Sequence, residues 1–297
     1  MPPDFDPNFQ IPRWGWWIVV YFFLGGITGG VYFAATWLDL FGDVNDRAAM
    51  RFAHLIAFPL IVVGGLSLIV DLGQPLRFWH MIFESERFPV PILKLYSPIS
   101  LGSAILGTFG IVSFVSFVDA TLGKSRWLHA SDNAVGKAWS VLGAVVGLAL
   151  SGYTGVLLSA TNEPVWGNSP WIGALFLFSG ISTGIAALVL VARRVPRTTV
   201  EKLSEADNYM MVFELVTLIV FLVTLGAVGA RFIFGTPTAI LFAVVIVIGM
   251  LIPLALHWRP TLAGGRRTAS VLSAVLVLVG GFVLRWAVLA GAEGIGL

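Results

Sequence analysis

Residues 14–38 read WGWWIVVYFFLGGITGGVYFAATWL. From Trp16 to Leu38 no side chain is ionic, and the run exceeds the ~20 residues an α-helix needs to cross a bilayer core. Seven further stretches qualify in the same way, at about 52–70, 97–118, 138–159, 170–191, 210–230, 238–256 and 270–291. The protein therefore reads as an all-α integral membrane protein with eight transmembrane helices. Its apolar runs are continuous rather than alternating, which argues against a transmembrane β-barrel.

Composition agrees. Of 297 residues, 57% are hydrophobic and 11% are charged, with a mean hydropathy of +0.90. A soluble domain carries about 25% charged residues, so this protein cannot clothe a water-facing surface and is not a soluble enzyme. The net charge of +2 is small and dispersed, unlike a nucleic-acid-binding surface. There is no cysteine, which excludes disulfides and thiolate-held zinc or iron–sulfur centres. His54 and His257 fall at ends of spans, and His80 and His129 in connections. None is mid-span, which argues against a haem gripped between two facing histidines, although His54 and His257 could approach each other at one edge. The leader MPPDFDPNFQ is acidic, unlike the basic start of a cleaved signal peptide.

Lysine and arginine in the connections set the orientation. The side of the N-terminus, side A, holds five: Arg13, Arg77, Arg87, Lys94 and Arg231. Side B holds twelve: Arg47, Arg51, Lys124, Arg126, Lys137, Arg193, Arg194, Arg197, Lys202, Arg259, Arg266 and Arg267. Side B is thus expected in the cytoplasm, with both termini extracytoplasmic. The organisation expected is an extracytoplasmic segment 1–15, one membrane domain 16–292 and a short tail 293–297. Residues 71–96 form the longest extracytoplasmic connection and contain Phe78, Trp79, Met81, Ile82 and Phe83, the marks of an interfacial amphipathic segment. Residues 192–209 read as a charged cytoplasmic loop. No connection could house a soluble catalytic domain, so any redox centre must belong to another subunit.

Small residues recur at helical spacing: Gly25, Gly26, Gly29 and Gly30; Gly143, Gly147, Ser151 and Gly155; Gly180 and Gly184. Such ladders let helix backbones approach closely in lipid. Room for a flat ligand is the other reading. Trp14, Trp16, Trp17, Trp166 and Trp171 sit at span starts as interfacial anchors.

Ionisable groups within spans are costly in hydrocarbon and need a reason. Arg285 lies in the last span, on the side-A half, and Glu214 in the cytoplasmic half of the sixth. Glu214 reads as the only acidic residue well inside that half. Asp71, Tyr21 and Tyr153 fall near the side-A ends of their spans. With Arg285 they form a polar set at one depth, suited to quinone carbonyls or quinol hydroxyls.

Six segments read together in order: WGWWIVVYFFLGGITGG at 14–30, DLGQPLRFWHMI at 71–82, SPISLGS at 97–103, GYTGVLLS at 152–159, FLFSGISTGIAAL at 176–188 and LRWAVLAGA at 284–292. This pattern resembles the NrfD/PsrC family, the membrane subunits of polysulfide-reductase-like complexes. The resemblance implies two four-helix bundles without haem. It also implies electron exchange between menaquinone or ubiquinone and a ferredoxin-like iron–sulfur subunit. On the extracytoplasmic side, that partner serves a molybdopterin or multihaem catalytic subunit. Residue by residue, Tyr153 matches a tyrosine at the quinone headgroup, Asp71 an acidic position ending the second span, and Arg285 an arginine assigned to a proton path. Tyr21 stands where the polysulfide-reductase member has histidine, and Ile18 where it has asparagine, so the headgroup's partners differ. Arg77, in the DLGQPLR segment, completes the quinone set of Tyr21, Asp71, Tyr153 and Arg77. The proton set is Asp71, Glu214 and Arg285, with no metal site. A secondary transporter and a purely structural anchor are the competing readings. No internal repeat supports the transporter, and only Pro59 and Pro253 interrupt spans.

Overall fold

The computed structural model describes residues 14–81, 97–122, 134–161, 163–191, 195–234 and 236–292. The expected N-terminal segment up to residue 13, the tail 293–297 and most of the 71–96 connection lie outside them. Eight helices are long and apolar enough to cross a membrane: α1 (Trp16–Phe41), α2 (Arg47–Asp71), α3 (Pro98–Leu122), α4 (Ala134–Ser159), α5 (Ile172–Val191), α6 (Arg197–Thr224), α7 (Thr238–Trp258) and α8 (Arg266–Ala292). This is a multi-pass membrane protein, as the apolar runs predict.

Three helices begin well before their apolar runs, all at side B. α2 starts at Arg47, α6 at Arg197 and α8 at Arg266. The expectation of a charged loop over 192–209 is therefore corrected: from Arg197 onward these residues are helix. Pro196, fixed near helical φ and with no N–H to waste, stands at the N-cap. Arg197 Nε donates to Glu201 Oε1 one turn on, at 3.2 Å. Thr199, Leu203, Ser204 and Asp207 are buried along this extension. A hydropathy window ends a span at its first charges, whereas the helix continues for as long as one face can pack.

α7 is not uniform. An α-helical turn set (Thr236–Val244) passes into a π-wound stretch (Val245–Leu251) and returns to α-helix (Ile252–Trp258). Pro253, just past the π stretch, contributes no backbone donor, and its own carbonyl accepts from Ser273 Oγ of α8 at 3.0 Å. On the π stretch Gly249 faces Gly280 of α8: a Cβ on Gly249 would stand 2.7 Å from the Gly280 Cα.

α1 is the central element, packed against α2, α4, α5 and α8. α2 also packs on α3 and α3 on α4; α5 packs on α6 and α8, and α7 on α8. The glycine ladders serve as seams between backbones. On α1, a Cβ at Gly29 would collide with the Gly147 carbonyl of α4, and one at Gly30 with the Gly180 carbonyl of α5. Gly155 of α4 meets Ile172 and Gly173 of α5 in the same way. Without hydrophobic drive between helices in lipid, such backbone contact supplies dispersion energy that side chains would block. Gly143 differs from its ladder: it leaves room for the ring of Tyr32. Val63, Ile111, Val145 and Val216 face outward, exposed on the outer rim of the helices.

Candidate functional site

Tyr21 lies five residues into α1, Tyr153 six before the end of α4, and Arg285 seven before the end of α8. At 1.5 Å per residue all three stand about 7–11 Å below the side-A ends of their helices. Their common depth is legible in the sequence. Their grouping is not.

Tyr21 and Tyr153 occupy the space enclosed by α1, α2, α3 and α4. Tyr21 is buried, with its ring beside Gly64 of α2. Its hydroxyl has no hydrogen-bond partner among the described residues. Tyr153, also buried, lies within its electrostatic reach. The Tyr153 ring fills the place that a Cβ at Gly102 of α3 would take, and its hydroxyl donates to the Pro98 carbonyl. The phenol proton of Tyr153 is thus committed within the protein, leaving its oxygen as an acceptor.

Asp71 ends α2 half-buried, above the two tyrosines. A Cβ on Gly15, the N-cap of α1, would stand 3.0 Å from Asp71 Oδ1. The carboxylate therefore sits at the positive end of the α1 dipole. Gly73, at φ 68°, takes the left-handed conformation that turns the backbone out of α2. A short 3₁₀ turn follows, Pro75–Met81, tied to α3 by a hydrogen bond from Ser100 Oγ to the Met81 carbonyl. Arg77 is exposed on this turn and lines an open cleft of about 440 Å³ with Leu72, Gln74, His80 and Met81. Leu76, at 90% exposed, and Phe78 present apolar area outward from it. Ile82 and Phe83 lie outside the described residues.

Arg285 belongs to the opposite face of α1. It is fully buried among α1, α5 and α8. Its Nε donates to the Phe22 carbonyl at 3.2 Å, and one terminal nitrogen donates to Ser179 Oγ at 2.9 Å and to the Gly281 carbonyl at 2.7 Å. The guanidinium centre lies 5.4 Å from the Phe176 ring centroid and 5.9 Å from that of Phe23. Gly26 leaves room beside it: a Cβ there would lie 2.7 Å from a terminal guanidinium nitrogen and force it to shift. Arg285 does not snorkel, and its donors turn to backbone and Ser179 rather than to Tyr21, Tyr153 or Asp71.

Ser179 connects Arg285 onward. Accepting from the guanidinium, it can place its own proton on the Glu214 carboxylate of α6, which is buried and within electrostatic reach of Arg285. Glu214 in turn senses Asp207, two turns earlier on α6 and buried, which accepts from Ser182 Oγ at 2.7 Å. Glu214 lies ten residues from the side-A end of α6 and meets Ser179, seven residues in from the side-A end of α5, so the expectation that it sits in the side-B half is corrected; Asp207, seven residues nearer side B, is the buried acid of that half. A span taken to begin at residue 210 leaves it out. Its signal is a seven-residue spacing to Glu214, two turns of one helical face, matched on α5 by Ser179 and Ser182 three apart.

At side B, Lys202 of α6 donates to Asp43 at 2.7 Å and to the buried Asp46 at 2.9 Å. Thr199 Oγ1 donates to Asp46 at 2.6 Å. These bonds fasten the α1–α2 turn to the start of α6. His54 lies buried two turns inside α2, edge-on to Tyr32 at 4.9 Å, deeper than a span-end position. Among the described residues no three histidine or carboxylate groups come together as a metal site would require.

The fold and these buried polar groups define a polytopic helical membrane protein with ionisable clusters in both halves of the bilayer. A family model described as "Polysulphide reductase, NrfD" matches residues 7–295, and the chain belongs to that family. Three relatives illustrate the breadth of the likeness. "Protein NrfD" of Escherichia coli is 27% identical over 217 residues, covering 67% of this chain and 65% of that protein. A "Protein NrfD homolog" of Haemophilus influenzae is 25% identical, covering 97% of this chain and 98% of its own length. The C subunit of the polysulfide reductase of Wolinella succinogenes is 26% identical, covering 93% of each.

Proposed function

We propose that this protein is the haem-free membrane subunit of a multi-subunit respiratory oxidoreductase, exchanging electrons between the quinone pool and a partner iron–sulfur subunit. One observation carries the reading: Tyr21, a buried phenol with no partner for its hydroxyl among the described residues, lies beside Tyr153 on the side-A half of α1–α4. Family membership supports it. The Tyr21 hydroxyl donates to a quinone carbonyl or accepts from a quinol hydroxyl. Tyr153, its proton held by Pro98, accepts. Asp71, at the mouth and half-exposed, exchanges protons with side A, and Arg77 flanks the approach. Menaquinone or ubiquinone is the exchangeable substrate. Oxidation of one quinol releases two electrons and two protons; reduction of a quinone takes up the same.

In this reading side A is extracytoplasmic and faces a ferredoxin-like subunit that serves a molybdopterin or multihaem catalytic subunit. The membrane is the cytoplasmic membrane of a bacterium or archaeon. The eight helices form two four-helix bundles, α1–α4 and α5–α8, within the single domain 16–292; the glycine seams of α1, α4 and α5 join them. Protons from side B pass by Asp207 and Glu214 through Ser179 towards Arg285. The intact complex, purified with its partner subunits and extracted, should yield bound quinone. Its reduced iron–sulfur centres should reoxidise on adding a water-soluble quinone. A protein that purifies alone, without quinone, and drives solute uptake in liposomes would overturn the proposal.

A further inference from the structure

At side B, where α5 ends and α6 and α8 begin, two adjoining cavities of about 510 and 450 Å³ share Glu201, Arg266 and Ser270. The larger carries Arg197, Arg266 and Arg267 on its rim against a single carboxylate, Glu201. Arg197 lies 3.2 Å and Arg266 3.8 Å from that carboxylate. Across the two cavities three guanidinium groups stand with two carboxylates, Glu201 and Glu205, an excess of one positive charge. Beneath the rim the wall is apolar, formed by Val189, Val195, Val200 and Val271.

The smaller cavity is lined by Asn208, His257 and a second carboxylate, Glu205. His257 Nδ1 lies 3.0 Å from the Pro253 carbonyl and 3.1 Å from Ser273 Oγ, while Ser273 donates to that same carbonyl at 3.0 Å. A carbonyl only accepts, and the serine proton is already spent on it. The imidazole proton therefore resides on Nδ1, and Nε2 is an acceptor. Neither Nε2 nor Asn208 Oδ1 has a partner among the described residues, although both are cut off from solvent. Buried acceptors left so are costly and call for a donor.

Depth identifies the milieu. α6 and α8 open with Arg197 and Arg266, so the cavities lie where apolar spans give way to charge, at the level of lipid headgroups. We infer that these cavities form a binding site for an anionic phospholipid whose headgroup carries free hydroxyls, the phosphatidylglycerol and cardiolipin class. The phosphate sits among the three arginines and an acyl tail lies along the valines. The glycerol hydroxyls donate to His257 Nε2 and Asn208 Oδ1, each reached by a small turn of the side chain. Phosphatidic acid provides the charge without the glycerol. Phosphatidylcholine sets a quaternary ammonium against the arginine rim and offers no donor.

The test uses the full-length protein in its complex, delipidated in detergent and titrated with each dioleoyl lipid under native mass spectrometry. Phosphatidylglycerol should bind about ten-fold or more tighter than phosphatidylcholine, and paired Arg266→Gln and Arg267→Gln should abolish that margin. His257→Phe should erase the preference for phosphatidylglycerol over phosphatidic acid while leaving phosphatidic acid affinity unchanged. Should a variant fail to assemble, competition between the lipids on the wild-type complex decides alone. Equal binding of phosphatidylglycerol and phosphatidylcholine overturns the inference. So does displacement of phosphatidylglycerol by inorganic phosphate or glycerol phosphate at equal concentration, which would mark a site for a soluble anion.

Discussion

Tyr21→Phe and Tyr153→Phe form a pair that the structure separates. Each removes one hydroxyl and keeps the ring. The Tyr153 hydroxyl donates to the Pro98 carbonyl, whereas the Tyr21 hydroxyl has no partner among the described residues. Tyr153→Phe therefore forfeits an internal hydrogen bond, a net loss of about 0.5–1.5 kcal/mol in stability. Tyr21→Phe forfeits none and should leave stability within about 0.5 kcal/mol of the parent. In quinone binding the order reverses. Losing the free donor at Tyr21 costs about 0.5–1.5 kcal/mol, a factor of roughly two to twelve in the KM for quinone. Tyr153→Phe should weaken quinone by no more than that. The assays are thermal inactivation in detergent and quinone-dependent electron transfer by the reconstituted complex. Equal destabilisation by the two substitutions, or unaltered quinone kinetics in Tyr21→Phe, would refute the assignment of Tyr21 as the available donor.

Gly30→Ala would drive a Cβ into the Gly180 carbonyl and to 2.8 Å from the Ile181 Cα; it should cost about 1–3 kcal/mol by overpacking, read as a lower inactivation temperature. Gly65→Ala, with nothing within 4 Å of the added atom, should be neutral or slightly stabilising by the same measurement. Asp207→Asn and Glu214→Gln keep shape and remove titratable charge; in proteoliposomes each should depress coupled proton uptake from side B while uncoupled electron transfer persists. Wild-type uptake in both would take them off any obligatory path. Because the sequence has no cysteine, single cysteines report sidedness without background. Leu76→Cys should react with an impermeant maleimide in intact cells and Leu262→Cys only in inverted vesicles; the opposite pattern would reverse the orientation.

Span number is legible because it depends only on long apolar runs, and the runs are unmistakable. Span ends are not. At Arg47, Arg197 and Arg266 helix continues beyond the hydrocarbon, held by contacts such as Lys202 with Asp46 that join residues remote in sequence. The same blindness conceals Asp207, which is polar by composition yet buried by packing. Depth along a helix follows from counting residues, so Tyr21, Tyr153 and Arg285 are placed correctly in level. Azimuth around the helix follows from packing alone. α1 turns Tyr21 towards α2 and α4 and the Phe22 carbonyl towards α8, and no count of residues could distinguish these faces. The glycine ladders read as close packing, which holds at Gly29, Gly30 and Gly155. At Gly102, outside any ladder, and at Gly143 an aromatic ring takes the vacated volume instead.

Tyr21 and Phe22 are consecutive residues, yet one belongs to the tyrosine pair and the other holds Arg285 through its carbonyl. The peptide unit between them is planar and stiff. The separation of the two polar clusters along α1 is therefore a covalent length, indifferent to how far neighbouring helices slide or tilt. Any movement that carries Tyr21 sideways carries an acceptor of the buried guanidinium with it, as two marks on one ruler move together.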